Sequence, residues 1–169
     1  SEDVPSKTTT LTVLMTPDMA NFSGHVHGGA ILRLLDQVAY VCAARYSGRY
    51  VVTVSVDQVT FRAPVHVGEL VTFRASVNFT GTTSMEIGVR VEAESIRERT
   101  FRHVITCYFT MVAVDEDGRP VSVTPMHAET PTKTPLGRRA LRRAFRKEVE
   151  RRSLEIRQHP QDLLGSDTP

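Results

Sequence analysis

The sequence predicts an α+β fold in which a five-stranded antiparallel sheet wraps around one long central helix, followed by a basic helical tail. Three observations carry this. A single stretch, 28–45, places apolar residues at helical spacing over more than half of its circumference. Five other segments alternate apolar and polar side chains with a period of two. The order is strand, helix, then four strands joined by short turns, which is not the βαβ alternation of a parallel sheet.

The first strand spans 8–15, β-branched, with Leu11, Val13 and Met15 on one face, and Pro17 stops it. Asn21 and Gly24 mark an irregular stretch. The helix then carries Ile31, Leu34, Leu35, Val38 and Cys42 as its stripe, widened by Ala39 and Ala43. Its 18 or so residues span about 27 Å at 1.5 Å each. Residues 50–61 alternate Val52/Val54/Val56 with Thr53/Ser55/Asp57, and 69–79 alternate Val71/Phe73/Ala75/Val77 with Thr72/Arg74/Ser76/Asn78. In 84–96, Met85, Ile87, Val89, Val91 and Ala93 share one side. The last strand, 102–114, sets His103/Ile105/Cys107/Phe109/Met111 against Val104/Thr106/Tyr108/Thr110/Val112, apolar enough to be covered on both faces. Residues 64–68, 80–82 and 115–118 carry the turn chemistry.

At 169 residues and 40% apolar composition the chain suits one core without disulfide or metal staples. The domain is expected over 8–125, with a Pro/Thr-rich linker and Arg-rich helical tail over 126–169. Residues 138–157 hold nine Lys/Arg and three Glu, whereas the whole chain is only +2, too balanced to indicate nucleic acid or an anionic membrane. The longest apolar run, 38–44, is seven residues, far short of the roughly 20 a spanning helix needs. No secretory signal is visible, and Cys42 and Cys107 lie 65 positions apart in apolar stretches. Burial in a reducing, cytoplasmic setting is therefore expected of them.

The segment Asn21-Phe22-Ser23-Gly24-His25-Val26-His27-Gly28-Gly29 is the most specific feature of the chain. Two glycines opening a helix leave backbone N–H groups approachable at the positive end of the helix dipole, which suits an oxyanion. Inside the helix, Asp36 stands at the margin of the apolar stripe, where a carboxylate acts either as general base on a water or as nucleophile. His25 and His27 form an H-x-H, but no further ligand at metal-binding spacing completes it.

Together with Leu34-Leu35-Asp36-Gln37-Val38-Ala39, Ser55-Val56-Asp57, Pro64-Val65-His66-Val67-Gly68-Glu69-Leu70-Val71 and the block from Thr80-Gly81 to Ile87-Gly88, this motif resembles the hotdog-fold acyl-coenzyme A (acyl-CoA) thioesterases of the YciA type and their cytosolic vertebrate relatives. The resemblance covers about 11–125. It implies hydrolysis of acyl-CoA to fatty acid and CoA, with acyl-CoA as the small-molecule partner and no metal or redox cofactor. It also implies subunits paired edge to edge, and often a trimer of dimers. The implied catalytic set is Asn21, Gly28 and Gly29 of one chain with Asp36 of its neighbour. Helix geometry makes the same demand, since seven residues separate Asp36 from Gly29, about 10 Å along one helix.

Thr82, Thr83, Ser84, Arg90 and Arg102 are candidates for the CoA phosphates, with Thr83 and Ser84 ranked first because they fall in a family block. Arg97 and Arg99 lie nearby. A non-catalytic acyl-CoA-sensing regulator on the same fold is the alternative reading. Enoyl-CoA hydration would want a histidine five residues after the aspartate, where Val41 stands.

Overall fold

The computed structural model describes residues 5–126 and positions 146, 147, 150 and 151. The chain divides into two compact units at Met126/His127. In the second unit the four described positions are helical, and the rest of the expected linker and basic tail lies outside the described residues.

The first unit is ordered β1 (Thr8–Leu14), a 3₁₀ turn (Pro17–Met19), α1 (Gly28–Ser47), β2 (Tyr50–Phe61), β3 (Leu70–Thr80), β4 (Ser84–Ser95) and β5 (Thr100–Val114). All neighbouring strands are antiparallel, in the order β1-β3-β4-β5-β2. This is the predicted architecture, one helix held against a five-stranded sheet. Helix α1 runs two residues beyond the expected end and stops at Gly48, which adopts the left-handed conformation of a C-cap.

Ile31, Leu35, Val38, Ala39 and Cys42 of α1 are buried with Val71 and Phe73 of β3, Ile87 and Val89 of β4, and Cys107 and Phe109 of β5. Each such aliphatic or aromatic side chain contributes roughly 1.5–3 kcal/mol by leaving water. Burial pushes the Cys42 and Cys107 thiols up to about 11 and about 12, so both stay protonated and behave as small hydrophobes.

Two findings depart from plain alternation. A bulge where Ile105 faces Val91 but His103 faces Glu92 reverses the order of faces at the start of β5. His103 therefore leaves the line of Ile105 and Cys107, and Arg102 turns toward Glu69. The second departure is in β2, an edge strand. Its Val52, Val54 and Val56 are 47%, 60% and 43% exposed, while Val51 is buried. Bulges between Thr53 and Ser55 and between Asp57 and Thr60, with Gln58 at φ 52°, bend this edge.

Candidate active site

Residues 20–27 form a closed loop ahead of α1. Ala20 pairs with Val26, the Asn21 N–H donates to the His25 carbonyl at 2.7 Å, and the Gly24 N–H donates to the Asn21 carbonyl at 3.1 Å. Gly24 sits at φ 81°, which a side chain would resist. Asn21 Oδ1 accepts from the Ser23 N–H at 3.0 Å, the Ser23 hydroxyl at 2.7 Å and the His25 N–H at 3.1 Å. The carboxamide is thus fixed through its oxygen, and its Nδ2 donors have no partner among the described residues.

His27 is the N-cap of α1, and its Nδ1 accepts from the Gly29 N–H at 2.9 Å. The Ala30 and Ile31 amides donate to the His27 carbonyl. Of the first-turn donors, only the Gly28 N–H has no acceptor among the described residues. The sequence predicts equal roles for Gly28 and Gly29, whereas in the structure Gly29 is committed to the cap and Gly28 presents the open donor. Beyond its own helix and chain neighbours, a Cβ built on Gly28 meets no atom within 4 Å among the described residues, so packing there does not require glycine. The capping role of His27 had no sequence signal, because caps are ordinarily Ser, Thr, Asp or Asn.

Asp36 lies seven residues, about two turns, beyond Gly29 along α1, exposed between exposed Leu32 and Tyr40. The Thr53 hydroxyl of β2 donates to Asp36 Oδ1 at 2.9 Å and also lies 3.3 Å from Met111 Sδ. One carboxylate oxygen is thereby oriented, and Oδ2 has no hydrogen-bond partner among the described residues. Thr53 was missed in the sequence because the period-two pattern of β2 groups it with Ser55 and Asp57 as surface, and only the bulge after Thr53 separates them.

The five CoA candidates fall in three places. Thr82 and Thr83 lie in the β3–β4 turn and Ser84 opens β4, near the end of β2 and β5 that also carries Thr53: Ser84 pairs with Val112 and Met85 with Met111. Arg90 is exposed on the outer face of β4, with Nε 2.9 Å from Glu92. Arg102 lies near the opposite end, its guanidinium donating through both terminal nitrogens to Glu69 and through Nη2 to the Pro64 carbonyl at 2.6 Å. Those commitments tie Arg102 to the fold. Burial raises the Glu69 carboxyl, but the hydrogen bonds and charge of Arg102 and the His66 N–H outweigh it and hold the group below its ordinary value. Among the described residues no cluster of three potential metal ligands occurs, and no helix is long and apolar enough to cross a membrane.

Comparison with known proteins gives these arrangements a context. The profile of the thioesterase superfamily matches residues 23–100. Protein VdlD of Helicobacter pylori is 52% identical over 116 residues, covering 69% of this chain and 64% of its own, so this chain spans less than two thirds of that relative. An uncharacterised acyl-CoA thioester hydrolase of Zymomonas mobilis is 39% identical over 129 residues, covering 73% and 83%. Among solved structures, an apo-hexameric acyl-CoA thioesterase superposes with TM-score 0.77 at 31% identity, covering 85% and 92%. An acyl-CoA hydrolase of Staphylococcus aureus, solved with butyryl-CoA, CoA and CoA disulfide, gives TM-score 0.75 at 26% identity over 92% and 94%. That enzyme was also solved as alanine variants of one asparagine, one aspartate and one threonine, whose successive separations of 15 and 17 positions equal those of Asn21, Asp36 and Thr53 here. The chain belongs to the thioesterase superfamily, among its hotdog-fold acyl-CoA thioester hydrolases.

Proposed function

We propose that this protein hydrolyses the thioester of acyl-CoA to a carboxylic acid and CoA, at sites each assembled from two chains. One chain supplies Asn21 and Gly28, with Gly29 holding the cap, and its neighbour supplies Asp36 oriented by Thr53. The observation that carries the reading is the pair of ordered half-sites: two uncommitted donors in one place, an oriented carboxylate in another. About 10 Å of helix separates them within a chain. Their spacing, matching that of the residues replaced in the Staphylococcus aureus enzyme, supports it.

The chemistry follows from the groups. The Gly28 N–H donates to the thioester oxygen as that oxygen gains charge, and such a donor is worth about 10²–10³ in rate. Asn21 Nδ2 donates to the carbonyl or holds the attacking water. Asp36 either takes a proton from that water as its oxygen attacks the carbonyl carbon, or attacks the carbon itself to give an anhydride that water then opens. The sulfur leaves as a thiolate of pKa about 8.5, so no strong acid is needed to protonate it. Nothing in these steps calls for a metal or redox cofactor. Thr82, Thr83 and Ser84, on the Asp36 side of the fold, are assigned to the CoA moiety, with exposed Arg90 a peripheral contact.

The unpaired edge of β2, with its exposed valines, is the surface by which two copies pair into a continuous sheet. Hexameric relatives support assembly of such dimers in threes. Two free, buried thiols suit a reducing cytoplasm. The direct test is release of free thiol from butyryl-CoA by the purified protein, with Asp36→Asn as control. Thiol release that falls about 10²–10⁴-fold in the variant, with the assembly intact, is expected. Binding of acyl-CoA without turnover would contradict the proposal.

A further inference from the structure

Arg102, a CoA-phosphate candidate from the sequence, is engaged within the chain itself. Its two terminal nitrogens grip Glu69, which is 5% exposed, and Nη2 also reaches the Pro64 carbonyl. Glu69 Oε1 in turn accepts the His66 N–H at 2.6 Å. One fork of charge from β5 thus fixes both ends of the segment 64–69 between β2 and β3. That segment is the floor of the Asn21 loop. The Val26 N–H donates to the Val65 carbonyl at 2.8 Å, His25 pairs with His66 as an isolated bridge, and the two imidazoles pack with centroids 4.9 Å apart. His25 is also the residue whose carbonyl and N–H both bind Asn21.

We infer that Glu69 and Arg102 are positioning residues for the reaction, setting through His66 and His25 the placement of the Asn21 carboxamide and the mouth of α1. This deepens the proposed thioesterase reading and rests on it for its kinetic consequence. The physical reason for a bidentate pair is rigidity: a planar fork held by a carboxylate and a carbonyl cannot swivel, as a lysine would. The loop it supports is exposed and contributes little core of its own, and misplacing a catalytic group by about 1 Å costs on the order of 10² in rate.

The test uses the full chain carrying Glu69→Gln or Arg102→Lys, each alone and combined with Asn21→Ala, with assembly checked by sedimentation. Two readouts are taken: amide hydrogen exchange of residues 21–27 without ligand, and kcat and KM on butyryl-CoA. Arg102→Lys keeps the charge and carries the test should Glu69→Gln not fold. The expected result is exchange at the Asn21, Val26 and His27 amides faster by about tenfold or more, and kcat lower by about tenfold with KM within about twofold. In the Asn21→Ala background the further loss in kcat disappears, because the pair acts through that residue. Unchanged exchange in both variants overturns the inference, as does an equal loss of kcat with and without Asn21. Should the unaltered protein cleave no thioester, the proposed function fails, while the exchange measurement still decides whether the pair holds the loop.

Discussion

Strands β4 and β2 are each twelve residues long, and each alternates apolar with polar side chains, yet they meet opposite fates. Met85, Ile87, Val89, Val91 and Ala93 of β4 are all at most 1% exposed, whereas Val52, Val54 and Val56 of β2 are 43–60% exposed. The difference is position. β4 lies between β3 and β5 over α1, and β2 lies at the edge with one ladder open. The other edge, β1, is seven residues long and shows threonines at Thr8, Thr10 and Thr12. An edge as long and apolar as β2 invites pairing, and natural proteins ordinarily blunt such edges unless they are used. The same alternation therefore serves this chain's own core in β4 and an exposed edge in β2, the edge proposed above to pair with a second copy.

Lysine substitution separates the two strands most sharply. Val89→Lys in β4 puts an unpartnered ammonium in the core, at a cost of several kcal/mol, comparable with the whole stability of such a domain. Circular dichroism is expected to show an unfolded chain. Val54→Lys in β2 is expected to leave the fold intact but reduce the mass by light scattering to that of a monomer, with thiol release falling about 10²-fold or more because each site loses its second half. Thr10→Lys on β1 should change neither. A folded monomer of undiminished activity would break the comparison.

The site residues sharpen it. In Gly28→Ala the new methyl meets nothing among the described residues beyond its own helix and favours the helix, so the melting temperature is expected to hold while thiol release falls about 10–10²-fold by crowding the carbonyl's approach. Thr53→Ala removes the hydroxyl that ties β2 to Asp36 and should lower kcat about tenfold with assembly intact.

The smallest effect is electrostatic. The folded state holds Glu69 below its ordinary 4.5, so its contribution is fully present above that pH and is lost as pH falls through the depressed value. Denaturant titrations below pH 4.5 should show a shallower acid loss in Glu69→Gln than in the unaltered protein.

Much of this was legible in the residues. The stripe Ile31, Leu35, Val38 and Cys42 and the alternation in β3 and β4 report burial directly, and the structure follows them closely. What alternation cannot report is a bulge, because one inserted residue reverses every face beyond it. That is why His103 was placed on the wrong face and why Thr53 was grouped with Ser55 and Asp57. At the candidate site, Asn21, Gly28 and Asp36 stand out by residue type, while His27 caps through an irregular loop and Glu69 meets Arg102 across 33 positions, neither of which leaves a pattern. Arg102 carried a visible charge but concealed a partner 33 positions away.

The central claim, that each reaction centre is divided between two chains, is tested most directly by mixing two inactive variants. Asn21→Ala and Asp36→Ala proteins, unfolded together at equal concentration and refolded, form mixed dimers at random. A mixed dimer holds one site with both alterations and one with neither, so about one quarter of the original thiol release is expected. If the mixture stays as inactive as either variant alone, although mass spectrometry shows mixed dimers, both groups serve the same chain's site and the account is contradicted.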